Sequence, residues 1–190
     1  MGVEDTTPLT PFAVERFSPI RYDDTHQITD EYVDALLDAA RRAPSAGNSQ
    51  PWAFVVGRRG DDVHERLVRH LAPSTRRWAP SASVLLANLS QRCVEGTDLE
   101  YSEFAHYDLG QAVAHLTFQA HALGLAVHQF RAFDRAGLAQ ELAVPDHWEV
   151  TSMAAVGVPV GPVETHVSAG TSRERRSLSD ITWLRHGTPD

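Results

Sequence analysis

One short run of the sequence concentrates side chains that could bind an organic ring. Residues 43–52 read APSAGNSQPW. Ser45 offers a hydroxyl, while Asn48 and Gln50 each carry a hydrogen-bond donor and an acceptor on one amide group. Such groups suit a ring whose edge displays mixed donors and acceptors. On these residues alone, the run also suits an ordinary turn between a helix and a strand.

Other familiar catalytic patterns do not occur in the sequence. It contains no glycine-rich phosphate loop, no G-x-S-x-G and no H-E-x-x-H. Cys93 is the only cysteine, which excludes an intramolecular disulfide and a cysteine-built metal site. His115 and His121 are six residues apart, so a helix would place them on different faces. We therefore expect no metal site.

Charge narrows the range of partners. The 190 residues carry a formal net charge of −8, which argues against general nucleic-acid binding. The arginines are nevertheless clustered, at residues 41–42, 58–59, 76–77 and 173–176. Such clusters fit either a solvated face or a local anion site, where guanidinium groups pair with phosphate.

The elements that must position these residues alternate between helix and strand. Thr29 and the acids after it predict a helix start, and Pro44 predicts its end. The strongest helical pattern covers 108–123 and stops at Gly124. Further helices are predicted over 62–70 and after Asp134. Strands are predicted over 53–56, 84–89, 126–130 and 150–158, and the continuous apolar run 84–89 indicates a strand covered on both faces.

We predict a single domain over residues 1–190, with a loose N-terminal arm at 1–12 and a C-terminal arm at 160–190. The alternation of elements indicates an α/β or α+β class. The C-terminal arm has little core of its own, but Ile181 and Trp183 favour docking on another surface. No segment approaches the roughly 20 apolar residues of a membrane helix, and no signal pattern is present, so we expect a cytoplasmic protein without a membrane partner.

The run 43–52 resembles the signature of the FMN-dependent nitroreductase family, A-P-S-x-x-N-x-Q-P-W, at every signature position. Weaker family features follow in the right order. RFSP at 16–19 resembles the R-x-S-P opening, HYDLGQA at 106–112 the start of the central helix, FD at 133–134 the G-F-D turn, and RRSLSD at 175–180 the terminal segment. The resemblance spans about residues 12–187 and is greatest to the short flavin-reductase and nitroreductase branch.

This resemblance implies an α+β nitroreductase-type fold, with a mixed central sheet flanked by helices and a C-terminal arm wrapping the partner of a homodimer. FMN would lie at the dimer interface, contacted by both chains. The implied cofactor-binding residues are Arg16, Phe17 and Ser18 at the phosphate and ribityl chain, Pro44, Ser45, Asn48 and Gln50 at the isoalloxazine from the partner subunit, the backbone of Arg131 and Ala132 at flavin N5, Arg77 near N1 and O2, and Arg173 and Arg175 at the phosphate.

The sequence departs from the family pattern in two places. Ile20 stands where the opening usually has a third basic residue, so either Arg21 substitutes through a shifted backbone or FMN binds more weakly. Ala132 stands where the later turn usually has glycine. If that position requires a positive φ, alanine costs about 1 kcal/mol. Arg131 is a candidate to project into the space over the flavin where the nicotinamide and the acceptor would bind. There it would select an anionic substrate or the nicotinamide phosphate.

The activity that the resemblance implies is hydride transfer from NADH or NADPH, through flavin N5, to a small acceptor such as a nitroaromatic, a quinone or free flavin, by a ping-pong mechanism. No catalytic side chain is then required, because the flavin supplies the chemistry. Two alternatives keep the same fold: a protein that sequesters flavin without turnover, and a tailoring dehydrogenase that uses oxygen to oxidise a peptide or heterocycle. Tyr101, Phe104 and Tyr107 could stack on an acceptor or belong to the core.

Overall fold

The chain alternates helices and strands along most of its length. A computed structural model describes residues 8–166, 172 and 174–185. The helices are α1 (Pro11–Glu15), α2 (Asp30–Arg41), α3 (Asp62–Arg69), α4 (Pro73–Arg76), α5 (Ala105–Ala122), α6 (Arg135–Glu141) and α7 (Leu178–Ile181). The strands are β1 (Trp52–Arg58), β2 (Val84–Gln91), β3 (Ala126–Phe130) and β4 (Trp148–Gly157). Short 3₁₀ turns occupy Ala46–Asn48, Ala79–Ser81 and Val163–Thr165.

The strands form one sheet in the order β1-β2-β4-β3. Every neighbouring pair is antiparallel, so the expected mixed sheet is wrong for the described residues. The reason lies in the position of β4. Strands β2 and β3 run in the same direction and are joined by α5, as in a parallel crossover, but β4 lies between them and pairs with both.

Both faces of the sheet are covered. On one face α3 and α6 pack against the strands, with Leu67, Leu138 and Met153 fully buried. On the other face α2 and α5 pack through Leu36 and Leu116, which are also buried. Strand β2 is buried at every position from 84 to 90, which confirms the prediction of a strand covered on both faces.

Helix α5 begins three residues before its predicted start at Asp108. The Asp108 N–H donates to the Phe104 carbonyl at 2.8 Å, so the aspartate lies one turn inside the helix. Its carboxylate faces inward rather than capping the first turn, and Asp108 is almost fully buried. Gly124 has φ = 73° and ends the helix, as predicted, because glycine adopts the left-handed region without strain.

The two arms differ from simple loops. Helix α1 starts at Pro11, inside the predicted N-terminal arm, and Phe12 packs on Phe118 of α5 with ring centroids 4.1 Å apart. After β4, Pro159 forms an isolated bridge with Tyr22, so the start of the C-terminal arm is fastened to the N-terminal segment. Farther along this arm the apolar side chains are exposed, and Trp183 and Leu184 are more than nine-tenths accessible.

In the part of the chain that the structure describes, no helix has both the length and the apolar character needed to cross a membrane.

Glu141 ties the end of α6 to α3. Arg69 contacts one of its carboxylate oxygens, and His70 Nε2 lies 2.5 Å from the other. Arg66 donates to the Glu141 backbone carbonyl. The hydrogen bonds from Arg69 and His70 lower the pKa of Glu141 from 4.5 to about 2. The ionised carboxylate is therefore favoured in the folded state.

This shift predicts how Glu141 affects stability against pH. Because the folded-state pKa lies below the ordinary one, the contribution is fully present above about pH 4.5 and is lost as pH falls through about 2. Glu141→Gln should lower Tm by a few degrees at pH 7, and its difference from wild type should shrink between those two pH values. Thermal unfolding followed by circular dichroism measures both, with Glu95→Gln, at an exposed carboxylate, as the control. A gap in Tm that stays constant across this range would contradict the prediction.

Candidate functional site

The run singled out in the sequence forms a compact turn between α2 and β1. We call residues 44–50 the signature turn. Ser45 closes the turn with its backbone and with its side chain. Its carbonyl accepts the Asn48 N–H at 3.0 Å, and its hydroxyl accepts the Gln50 N–H at 3.0 Å. The Gln50 carbonyl then accepts the Trp52 N–H at 2.8 Å, which leads the chain directly into β1.

Two side chains of the signature turn stand on strained backbone. Asn48 has φ = 57° and Gln50 has φ = 49°, both in the left-handed region. This conformation costs about 1–2 kcal/mol for a residue with a Cβ, less for asparagine than for glutamine. Both residues are exposed, so their amide groups lie at the surface of the turn. Strain of this kind is common where a side chain is held ready for a ligand.

Distant side chains hold the signature turn from beneath. The buried carboxylate of Asp108 accepts the Ala46 N–H through Oδ2 at 3.0 Å. Tyr101 donates its hydroxyl to the Ser49 carbonyl at 2.8 Å. The sequence predicts neither role, because its pattern indicates only that Asp108 lies at the start of α5 and that Tyr101 is a stacking or core residue. Ala46 and Asp108 are 62 residues apart in the sequence, so no local pattern could predict this contact.

Arg16 and Ser18 lie in a second concave region, which we call the arginine cleft. The Arg16 guanidinium lies 3.5 Å from the Ser18 hydroxyl through Nη1. The cleft has a volume of about 290 Å³ between the N-terminal segment, the C-terminal half of α5 and the edge strand β3. Its lining combines a cation, hydroxyls, an amide and aromatic walls: Phe12, Arg16, Ser18, Thr117, Phe118 and Gln129.

The turn after β3 does not behave as its sequence suggested. Ala132 has no positive φ, so the expected cost of replacing glycine there is wrong. Its carbonyl accepts from the Thr75 hydroxyl at 2.7 Å and from the Ala72 N–H at 3.1 Å, which fixes the turn against α4. Arg131 is exposed, but its guanidinium is folded onto the Thr151 carbonyl of β4.

Three basic side chains surround Glu149 next to this turn, and the sequence did not predict this cluster. His106 contacts one oxygen of the Glu149 carboxylate. Arg92 and Arg135 each lie 3.9 Å from the other oxygen. Only the tertiary structure joins these groups, because they come from the ends of β2, α5 and α6.

The remaining residues implied by the resemblance lie at the surface or outside the described residues. Arg77 is exposed at the end of α4. Arg175 is exposed in the C-terminal arm, where it contacts the Glu174 carbonyl at 3.4 Å. Pro44 is exposed and Phe17 is half-buried. Arg173 falls outside the residues that the structure describes.

The signature turn and the arginine cleft are separated along helix α5. Asp108 holds the turn, and Thr117 lines the cleft nine residues farther on. At 1.5 Å per residue this separation is roughly 14 Å along the helix axis. One chain therefore brings Arg16 and Ser18 together, and Ser45, Asn48 and Gln50 together, but as two separate groups.

The donor set fits a phosphorylated, ring-bearing cofactor. The arginine cleft supplies a guanidinium and hydroxyls, which suit a phosphate and a polyol, and the signature turn supplies two exposed amides, which suit a heterocycle. Among residues 8–166 and the described part of the C-terminal arm, no group of three histidine, cysteine, aspartate or glutamate side chains could hold a metal ion.

Comparison with known proteins gives the family. The sequence model of the nitroreductase family matches residues 13–93. The 5,6-dimethylbenzimidazole synthase of Rhodospirillum rubrum is 32% identical over a 155-residue alignment that covers 70% of this chain and 73% of that protein. The chain belongs to the nitroreductase family.

Two further comparisons extend this assignment. A relative from Archaeoglobus fulgidus, provisionally named NADH dehydrogenase/NAD(P)H nitroreductase, is 28% identical over a 148-residue alignment that covers 74% of this chain and 79% of that one. A crystal structure of an oxidoreductase containing FMN superposes with a TM-score of 0.84 at 28% identity, covering 98% of this chain and 96% of the other. The α+β nitroreductase-type fold is thereby confirmed.

The contact between Asp108 and Ala46 predicts how the signature turn responds to mutation. Asp108→Ala leaves the Ala46 N–H without its acceptor, which should lower the free energy of unfolding by about 1–3 kcal/mol. Hydrogen exchange at residues 44–50 should become faster, whereas Asp108→Asn, which keeps an acceptor, should change it less. Asp98→Ala, at an exposed aspartate, is the control. Unchanged exchange in Asp108→Ala would show that other contacts hold the turn.

Proposed function

We propose that this protein is a homodimeric, cytoplasmic FMN-dependent oxidoreductase that passes hydride from NADH or NADPH to a small acceptor. The observation that carries the proposal is the signature turn, in which Asn48 and Gln50 are held in strained, exposed conformations. Membership of the nitroreductase family supports a flavin oxidoreductase. The relatives named for FMN and for NAD(P)H support this cofactor and this reductant.

Arg16, Phe17 and Ser18 would hold the phosphate and ribityl chain of FMN. The guanidinium of Arg16 and the hydroxyl of Ser18 are 3.5 Å apart, so both can donate to one phosphate group. Arg173 and Arg175 would close on the same phosphate from the C-terminal arm. Arg77, exposed after α4, would add positive charge near flavin N1 and O2, which favours an electron-rich ring.

Pro44, Ser45, Asn48 and Gln50 would line the isoalloxazine from the partner subunit. The backbone of Arg131 and Ala132 would face flavin N5. Strand β3 is at the edge of the sheet formed by the described residues, and its outer side pairs with no strand there, which suits a ligand that accepts backbone hydrogen bonds. The contacts of Ala132 with α4 hold this backbone in place.

A second copy of the chain would complete the site. The roughly 14 Å between the signature turn and the arginine cleft along α5 keeps the two groups of residues apart in one chain. Exposed apolar side chains offer a dimerisation surface. Tyr107 and Phe118 lie on α5, and Leu178, Ile181, Trp183 and Leu184 lie in the C-terminal arm.

Bound FMN would supply hydride transfer at N5, alternating between the reduced nicotinamide and the acceptor. The protein itself would bind and orient the flavin and the substrate and exclude water from the site, and it needs no side-chain nucleophile or base. Phe104 and Tyr107, whose ring centroids are 6.4 Å apart, are exposed and could stack on a nitroaromatic, quinone or flavin acceptor. Tyr101 is committed to the signature turn instead.

The first test is an anaerobic absorbance spectrum of the protein reconstituted with FMN, before and after addition of NADH or NADPH. We expect a bound flavin band that bleaches and then recovers when a quinone or nitro compound is added. Bound flavin that stays oxidised would favour sequestration, or a tailoring dehydrogenase if a metabolite reduces the flavin and peroxide forms once air is admitted. A protein that retains no flavin would contradict the proposal.

Arginine variants test the phosphate end. Arg16→Gln should weaken FMN binding by about 10- to 100-fold, because a charge-assisted hydrogen bond to phosphate is lost. Arg21→Gln, at an exposed arginine next to Ile20, is the matched control and should bind FMN almost as wild type. Flavin fluorescence quenching gives both affinities. If Arg21→Gln is the weaker variant, Arg21 takes the role of the third basic residue.

The dimer has its own test. Trp183→Ser removes the most exposed aromatic side chain of the C-terminal arm, so it should raise the dimer dissociation constant and weaken FMN binding together. Light scattering over a dilution series measures the dissociation constant. Val94→Ser, at an exposed apolar residue of the 91–104 segment, should leave both properties unchanged. A monomeric wild-type protein that binds FMN tightly would exclude the shared site.

A further inference from the structure

A single peptide unit beside the arginine cleft is held by two histidines from distant parts of the chain. The Pro19 carbonyl accepts a hydrogen bond from His128 Nδ1 at 2.8 Å. The Ile20 N–H donates to His166 Nδ1 at 3.1 Å. This carbonyl and this N–H belong to the same peptide bond, and Ser18 directly precedes it. We call His128 and His166 the histidine clamp.

The clamp requires opposite tautomers of the two rings. A carbonyl can only accept, so His128 must carry its proton on Nδ1. A backbone N–H can only donate, so His166 Nδ1 must be unprotonated, and the neutral ring carries its proton on Nε2. Among the described residues, His166 Nε2 is buried without a hydrogen-bond partner. The Ile20 contact is therefore the hydrogen bond that orients this ring.

Packing keeps both rings in place. The His128 ring stacks on Trp78 with centroids 4.4 Å apart. Burial lowers the pKa of His128, the bond to Pro19 opposes this effect, and the positive charge of Arg16 lowers the pKa further. His166 is buried, and its ring centroid lies 5.1 Å from that of Phe17. The Pro19–Ile20 peptide is therefore hydrogen-bonded to two side chains whose rings are both packed in place.

The clamp joins the Arg16–Ser18 segment to the C-terminal arm. His166 directly follows the 3₁₀ turn Val163–Thr165. The Val160 N–H donates to the Arg21 carbonyl at 3.2 Å, one residue beyond the clamped peptide. The ring of Pro19 restricts its φ, so the backbone after Ser18 has little freedom to move relative to the start of the arm.

We propose that His128 and His166 are positioning residues for the phosphate end of the flavin site, and that they couple binding of the phosphate to the placement of the C-terminal arm. The proposal rests on the proposed function. Neither histidine needs to touch the cofactor. They act through the Pro19–Ile20 peptide, which sets where the Ser18 hydroxyl and the Arg16 guanidinium lie.

Paired substitutions separate the hydrogen bonds from packing. His128→Phe and His166→Phe keep a ring of similar size but remove the donor and the acceptor. His128→Asn and His166→Asn keep a donor or acceptor at the distance from the backbone where Nδ1 lies. His64→Phe is the control, because His64 is another buried histidine with an unpartnered Nε2 among the described residues, but it lies on α3.

The affinities of the full-length protein for FMN and riboflavin are the readout, since riboflavin lacks the phosphate. We expect each phenylalanine variant to lose about tenfold in FMN affinity and to keep its riboflavin affinity within about twofold. Each asparagine variant should stay within about threefold of wild type for both flavins. His64→Phe should leave the ratio of the two affinities unchanged. Imidazole ¹⁵N shifts of the wild-type protein should show the Nδ1–H tautomer for His128 and the Nε2–H tautomer for His166.

Other results would overturn the clamp. Phenylalanine variants that bind FMN as wild type, or that lose FMN and riboflavin equally, would assign the histidines no role at the phosphate. The same tautomer in both rings would contradict the geometry directly. Each of these results leaves the proposed function intact if the wild type binds FMN. A wild-type protein that binds neither flavin would overturn both proposals at once.

Discussion

The structure depends on the burial of helix α5 against one face of the sheet. Its inward side, which includes Leu109, Ala112 and Leu116, is almost completely removed from water between α2 and the strands. Burial of this kind contributes roughly 25 cal/mol for each square ångström of apolar surface, so the packed side of α5 anchors the helix to the sheet. Because the helix is held in place, side chains from both of its halves can support neighbouring segments. Asp108 holds the signature turn near one end, and Thr117 and Phe118 wall the arginine cleft toward the other.

The backbone of the candidate site includes several short connecting segments, and each is held by a side chain from elsewhere. Asp108 holds Ala46, Thr75 holds the Ala132 carbonyl, and the histidine clamp holds the Pro19–Ile20 peptide. Irregular backbone can be ordered only if its polar groups find partners, and here buried or packed side chains supply them. These contacts hold the signature turn, with its strained φ values at Asn48 and Gln50, between α2 and β1. The turn also leaves the Asn48 and Gln50 amides exposed while the backbone N–H groups of both residues are hydrogen-bonded to Ser45.

Much of the fold could be predicted from local patterns. Strand β3 and the Asp134-capped helix α6 were predicted closely, because alternation, caps and glycine stops act over a few residues. Helix α4 was not predicted, since Pro73–Arg76 is too short to show a period. The start of α5 was predicted three residues too late, because the apolar period is clear only from 108 onward and no side-chain cap marks the true start. The basic side chains around Glu149 could not be predicted, because no spacing in the sequence relates residues 92, 106, 135 and 149.

The sequence by itself determined the family and the chemical character of the site: the amides of the signature turn, the Arg16–Ser18 pair, and the positions of most helices and strands. These depend on residue identity and on spacing within a dozen residues. Only the tertiary structure decided that β4 lies between β2 and β3, that Ala132 is unstrained, and that two histidines grip one peptide. The physical reason is separation along the chain. The two hydrogen bonds of the clamp connect residues that are separated by 109 and by 146 positions in the sequence. Contacts between such distant residues are selected by the packing of the whole core.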